Sequence, residues 1–201
     1  AYLRKGRSYK IRARYKDDTN RWSHWSLPIQ ITPTASGKTQ TPDLVISEIM
    51  FDPISECGVE FIKITNLSFF SADLTHVEFT NGIRYKFPSG SSLSGKRSLI
   101  LTRDSTTFTQ KYGFSPFGEY AKALDNKGEN IRIAGAYNQL INQVHYLKDK
   151  TWKTPKSGYS LVLENTSKSS LTGDNWKYSA HLCGTPMFED ESSFIFCIIL
   201  G

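Results

Sequence analysis

Four carboxylates, Glu48, Asp52, Glu56 and Glu60, gather around the break that follows Met50. Carboxylates converging from neighbouring strands and a loop are hard oxygen donors, and Ca²⁺ accepts such ligands in flexible geometry. Equally, each can be solvated, or Glu48 and Glu60 can be hydrogen-bonded at a sheet rim. The histidines His24, His76, His145 and His181 are scattered along the chain. His181 and Cys183 alone fall short of the three or four closely spaced ligands a zinc site needs. Gly90 to Lys96, GSSLSGK, has the outline of a phosphate-binding loop. Arg97, however, stands where Ser or Thr must hold Mg²⁺, and the run lies between two strand patterns with no helix following it. No nucleophile elbow, HExxH or paired-acid cleft emerges, so no catalytic residue is assigned.

Two aromatic groups invite a binding reading. Residues 104–128 contain Phe108, Tyr112, Phe114, Phe117 and Tyr120 in a stretch without strand pattern. A loop this long in a domain is usually functional, and five rings can form a platform for a glycan, peptide or wall polymer. The competing reading has the rings capping an open end of the fold. Ser105 can cap a helical turn here, with Phe108 and Tyr112 at i and i+4 on one face. Near the N-terminus, Arg12 and Arg14 oppose Trp22 and Trp25, which suits a ladder of guanidinium over indole. That ladder either stiffens the sheet or contacts a ligand. Of the three cysteines, Cys57 and Cys183 can pair if the last loop returns beside the first; otherwise they are half-buried thiols.

The elements that must position these residues are strands. Ser8 to Tyr15 alternates strictly, placing Tyr9, Ile11, Ala13 and Tyr15 on one face as in a half-buried strand. From Leu44 onward strand patterns arrive every 10–15 residues, as expected of an all-β sandwich. The run from Leu44, ended by Phe51-Asp52-Pro53, and the run from Gly58 to Thr65 flank the acidic turn. Val77–Thr80 and Ile83–Phe87 flank Asn81-Gly82, a hairpin signal in which both central residues take positive φ. Ser98–Thr102, SLILT, is nearly continuous in apolar residues and marks a central strand. Asn130–Ala134 and Leu140–Tyr146 form another hairpin, and Tyr159–Leu163 with a segment near Trp176 completes the set.

The organisation expected is a partial module over 1–32, a Pro/Ser/Thr/Gly-rich linker over 33–43, a β-sandwich over 44–190 and an apolar tail over 191–201. The opening AYLRKGRSYKIRARY reads as the inside of a domain, so the chain is expected to be a piece of a longer protein. Net charge is +6, but eight Lys/Arg and only two Asp/Glu fall in 1–32. The 33–201 region carries 17 of each sign. That balance argues against nucleic-acid binding by the main domain, because phosphate neutralisation supplies most non-specific affinity. The seven apolar residues of FIFCIIL are far fewer than the ~20 of a membrane helix.

In order, LVISEIMFDP, GVEFIKITN, ADLTHVEF, YKFPSGSSLSGKRSLILTRD, FTQKYG, LDNKGENIRI, GYSLVLE, DNW and CGTP resemble the lamin tail domain, in its bacterial, extracellular form. The resemblance covers about 44–186 and implies an all-β, immunoglobulin-like β-sandwich. Trp22-Ser23-His24-Trp25-Ser26 resembles the Trp-Ser-x-Trp-Ser motif of a fibronectin type III module, over about 25 residues. Together these imply a non-enzymatic module, extracellular or at the cell surface, that tethers or presents other domains of its parent chain, with no cofactor unless Ca²⁺ binds. The alternatives are a nucleic-acid-binding module, or an accessory domain of an attached hydrolase or nuclease.

Overall fold

The computed structural model describes residues 6–32, 41–147, 152 and 156–187. The apolar tail, Cys197 and most of the expected linker lie outside the described residues. The chain divides into two units, residues 1–40 and 41–201.

In the first unit β1 (Tyr9–Ile11) pairs antiparallel with β2 (Ile29–Ile31). Regular pairing stops at Ile11, well short of the expected Tyr15, for a local reason. Beyond it the backbone N–H groups of Ala13 and Tyr15 are taken by the hydroxyls of Ser26 and Ser23 rather than by strand carbonyls. The expected half-buried face is open, with Ile11 45% and Tyr15 73% exposed. Among the described residues this sheet has two strands, and a two-stranded ribbon by itself buries little of either face.

The second unit is built on a six-stranded sheet in the order β13-β12-β3-β4-β8-β9. These strands are β3 (Leu44–Met50), β4 (Phe61–Asn66), β8 (Ser98–Thr102), β9 (Gly118–Glu119), β12 (Leu161–Leu163) and β13 (Trp176–Tyr178). All pairs are antiparallel except β8 with β9. A three-stranded sheet joins β6 (Glu78–Asn81), β10 (Gly128–Ala134) and β11 (Leu140–Leu147) in the order β11-β10-β6. A short pair, β5 (Ala72–Asp73) with β7 (Ser92–Leu93), completes the strands named here.

Ile62, Ile64, Leu99 and Leu101 of the large sheet and Ile131, Ile133 and Val144 of the small one share one core. The opposite face of the large sheet is buried too. Phe61, Ile100 and Met50 pack there against Phe108 of α1 (Ser105–Tyr112). Burial of both faces explains why SLILT lacks alternation. β8 is nonetheless next to last in its sheet, flanked by the two-residue β9.

Two local expectations are corrected. Asp104, not Ser105, caps α1, its Oδ1 accepting from Thr107 N–H at 2.9 Å. Only Gly82 of Asn81-Gly82 takes positive φ, at 86°. Asn81 is held extended by pairing with Arg132 of β10, so the turn widens to the Phe79–Tyr85 closure, Phe79 N–H donating to Tyr85 O at 2.8 Å.

Candidate functional site

The four carboxylates are not brought together. Glu48 points to the α1 side of the sheet, 1% exposed, and accepts from Ser160 Oγ at 2.6 Å and Thr185 N–H at 2.7 Å. Lys63 of β4 stands 3.9 Å from its other oxygen. Asp52 accepts from Asn126 Nδ2 and Ser157 Oγ, tying the turn after β3 to two distant loops. Glu56 is exposed and accepts from Ser55 Oγ at 3.1 Å. Glu60 is half-buried and accepts from Leu124 N–H at 3.0 Å and Tyr120 O–H at 3.3 Å. Desolvation dominates those bonds and holds its carboxyl above the ordinary range. Glu48, Asp52 and Glu60 thus each brace a different segment, while Glu56 meets its neighbour Ser55 at the surface. Among the described residues no group of three or more His, Cys, Asp or Glu is placed to hold a metal ion, which corrects the calcium grouping.

The aromatic platform is corrected as well. Phe108 and Tyr120 are 0% and 1% exposed, and so unavailable to a ligand. The i and i+4 spacing on α1 does bring Phe108 and Tyr112 together, with ring centroids 4.5 Å apart, but it aims them at Phe61. Tyr112 is half-buried and donates from its hydroxyl to Cys183 O at 2.7 Å; burial raises its pKa. Phe114 packs on the edge of Phe108. Phe117 is the most open of the five, at 41%, and its ring still packs 5.6 Å from that of Phe87.

Cys57 and Cys183 form a disulfide across 126 residues of sequence, with Cα atoms 4.9 Å apart. It joins the turn after β3 to the segment after β13. In the first unit Arg14 stacks on both indoles, 4.3 Å from the Trp22 centroid and 4.5 Å from that of Trp25, and Lys16 lies 5.6 Å from Trp22. Arg12 is exposed on the same ribbon. GSSLSGK runs through β7 into the turn before β8, and a strand follows it where a phosphate site needs a helix N-terminus.

A different site does take shape, on the α1 side of the large sheet. A groove of about 480 Å³ runs beside β8. Lys63, Lys96 and Arg97 line it together with Phe114, Phe117 and Met187, and none of its described lining residues is acidic. Beside it stands the loop after β4, where Phe69 and Phe70 are 83% and 81% exposed.

That loop is built rather than slack. Asn66, 0% exposed, donates from its amide to Phe70 O and Leu93 O, both at 2.9 Å, and accepts from Ser68 N–H at 3.0 Å. Ser68 Oγ in turn accepts from Phe70 N–H. Gly95 lies so close that a Cβ there would stand 2.2 Å from Phe69 O, so only glycine fits. Lys96 donates to Leu67 O and places its ammonium 4.3 Å from the Phe69 centroid. No strand pattern or site motif in the sequence marks this loop. The available signal was an adjacent apolar pair inside a turn-forming run, Asn-Leu-Ser-Phe-Phe-Ser, where no single core face can take both rings.

No curated protein matches the chain. A profile of the lamin tail domain matches residues 37–148, more than half of it. The matched span contains β3 to β11, while β12 and β13 extend the same six-stranded sheet beyond it. The fold is therefore an all-β, immunoglobulin-like sandwich, and the chain belongs to the lamin tail domain family.

Proposed function

We propose that this chain is a non-enzymatic structural or binding module of a larger secreted or cell-surface protein, where it tethers or presents neighbouring domains. In this reading residues 1–32 are the last strands of a fibronectin type III-like module, and the lamin tail sandwich follows a linker. The observation that carries the extracellular part is the Cys57–Cys183 disulfide, because such bonds persist in oxidising compartments and are rare where thiols are kept reduced. The non-enzymatic part is supported by the way the interior polar groups are used. Glu48, Glu60 and Tyr112 are each committed to a hydrogen bond that fixes a loop or the disulfide segment. Among the described residues no helix is long and apolar enough to cross a membrane.

The test has two arms on the purified chain. Alkylation and mass spectrometry without reductant are expected to find Cys57 and Cys183 blocked as one cross-linked pair in protein taken from its natural compartment. Assays with phosphodiester, phosphomonoester, glycoside and peptide substrates are expected to show no turnover. Hydrolase or phosphotransferase activity that survives purification would sink the non-enzymatic reading, and two free thiols in the native material would sink the extracellular one.

A further inference from the structure

We propose that the groove beside β8, together with the Phe69–Phe70 loop, docks an extended acidic polypeptide segment that also carries apolar side chains. This rests on the reading of the chain as a binding module and names the chemistry of its partner. Charge is the first support. Lys63, Lys96 and Arg97 line the groove with no acidic residue among its described lining. Glu48 offsets Lys63 from within the sheet, so the exposed Lys96 and Arg97 set the field at the mouth. Because 33–201 is balanced overall, this local excess selects by placement rather than by bulk charge.

Composition and rigidity add independent support. Phe114, Phe117 and Met187 beside Arg97 are the residue types enriched in protein interfaces. Phe69 and Phe70 are held outward by Asn66 and by the Gly95 contact, so binding orders little that is not already ordered. A volume near 480 Å³ accommodates a few side chains of a single extended chain. A bilayer surface would meet the two rings but could not follow the groove to Lys63, which is 7% exposed.

The experiment is a titration of the full chain, followed by backbone amide NMR, with four probes: a random Glu–Tyr copolymer, poly-Glu, a Lys–Tyr copolymer, and vesicles of phosphatidylglycerol with phosphatidylcholine. The Glu–Tyr copolymer is expected to shift Phe69, Phe70, residues 98–100 and residues 114–117. Poly-Glu should bind about tenfold more weakly, the Lys–Tyr copolymer not at all, and added salt should weaken the complex several-fold. Arg97→Glu and the double variant Phe69→Ser/Phe70→Ser should each cost about tenfold in affinity while leaving the remaining spectrum unchanged.

Vesicle binding without copolymer binding overturns the proposal in favour of a lipid surface. Shifts confined to residues 6–32 overturn it in favour of the cation–indole ribbon. An affinity gain of about tenfold on deleting residues 188–201, whose sequence FEDESSFIFCIILG is itself acidic and then apolar, overturns it in favour of the chain's own segment. Absence of binding together with absence of turnover overturns this proposal and leaves the non-enzymatic reading standing.

Discussion

The two ends of β4 each carry one polar side chain that fastens a loop, and the two loops turn their rings in opposite directions. Glu60, just before β4, is an acceptor only; it holds Leu124 N–H and Tyr120 O–H, and its loop carries Tyr120 into the interior, on the stretch that follows α1 and its buried Phe108. Asn66, the last residue of β4, both donates and accepts; it holds two carbonyls and an N–H, and its loop carries Phe69 and Phe70 into water. Counting aromatic residues therefore does not locate a binding surface. For Tyr120, Phe69 and Phe70 the anchored backbone decides which way the rings face, because an irregular segment has no periodicity of its own to aim them, whereas Phe108 is aimed by α1.

If that contrast is right, the inward loop should matter for stability and the outward loop for binding. Phe108→Ala is expected to cost about 3–5 kcal/mol in urea unfolding, since it empties the centre of the cluster formed with Phe61, Tyr112 and Phe114. Asn66→Ala should cost about 3 kcal/mol, because buried carbonyls lose their donor. It should also raise proteolysis at Phe69–Phe70.

Glu60→Gln tests the carboxylate anchor through pH. Its pKa is raised in the folded state by desolvation from an ordinary 4.5. The native protein therefore holds more protons than the unfolded one over that interval, and the stability of the parent chain falls as pH rises through it. Below the ordinary value the carboxyl is protonated in both states, so the full stability is present there and no longer changes with pH. The Gln variant lacks this titration, so denaturant midpoints from about pH 4 to about pH 7 should move in its favour as pH rises. A midpoint difference independent of pH would show that Glu60 is not the titrating anchor. The smallest effect is expected for Phe69→Ser/Phe70→Ser, within about 0.5 kcal/mol of the parent. A loss of several kcal/mol there would erase the contrast between the loops.

Much of the fold was legible along the chain because burial leaves a local trace. The Asn130–Ala134 and Leu140–Tyr146 strands, the i and i+4 pair Phe108 and Tyr112, and the family resemblance over the stretch that the lamin tail profile matches, residues 37–148, all read directly. The site was far less legible. Glu48, Asp52, Glu56 and Glu60 are close in sequence, but an antiparallel pair and a turn send their carboxylates to different partners. Phe69-Phe70 lacks any periodic signal, and the groove beside it is assembled from residues more than 100 positions apart, Lys63 and Met187 among them.

What the sequence determined by itself was the class of domain: short runs of β-formers, turn residues between them, and a balanced charge over 33–201, each set by local chemistry. Tertiary structure alone decided which thiols met, which carboxylates became braces and which rings stayed in water. Those outcomes depend on backbone brought together across long stretches of chain, as when Cys57 meets Cys183 over 126 residues. No local pattern encodes such a meeting, because the segments after β3 and after β13 come side by side only through the pairing of β12 with both strands.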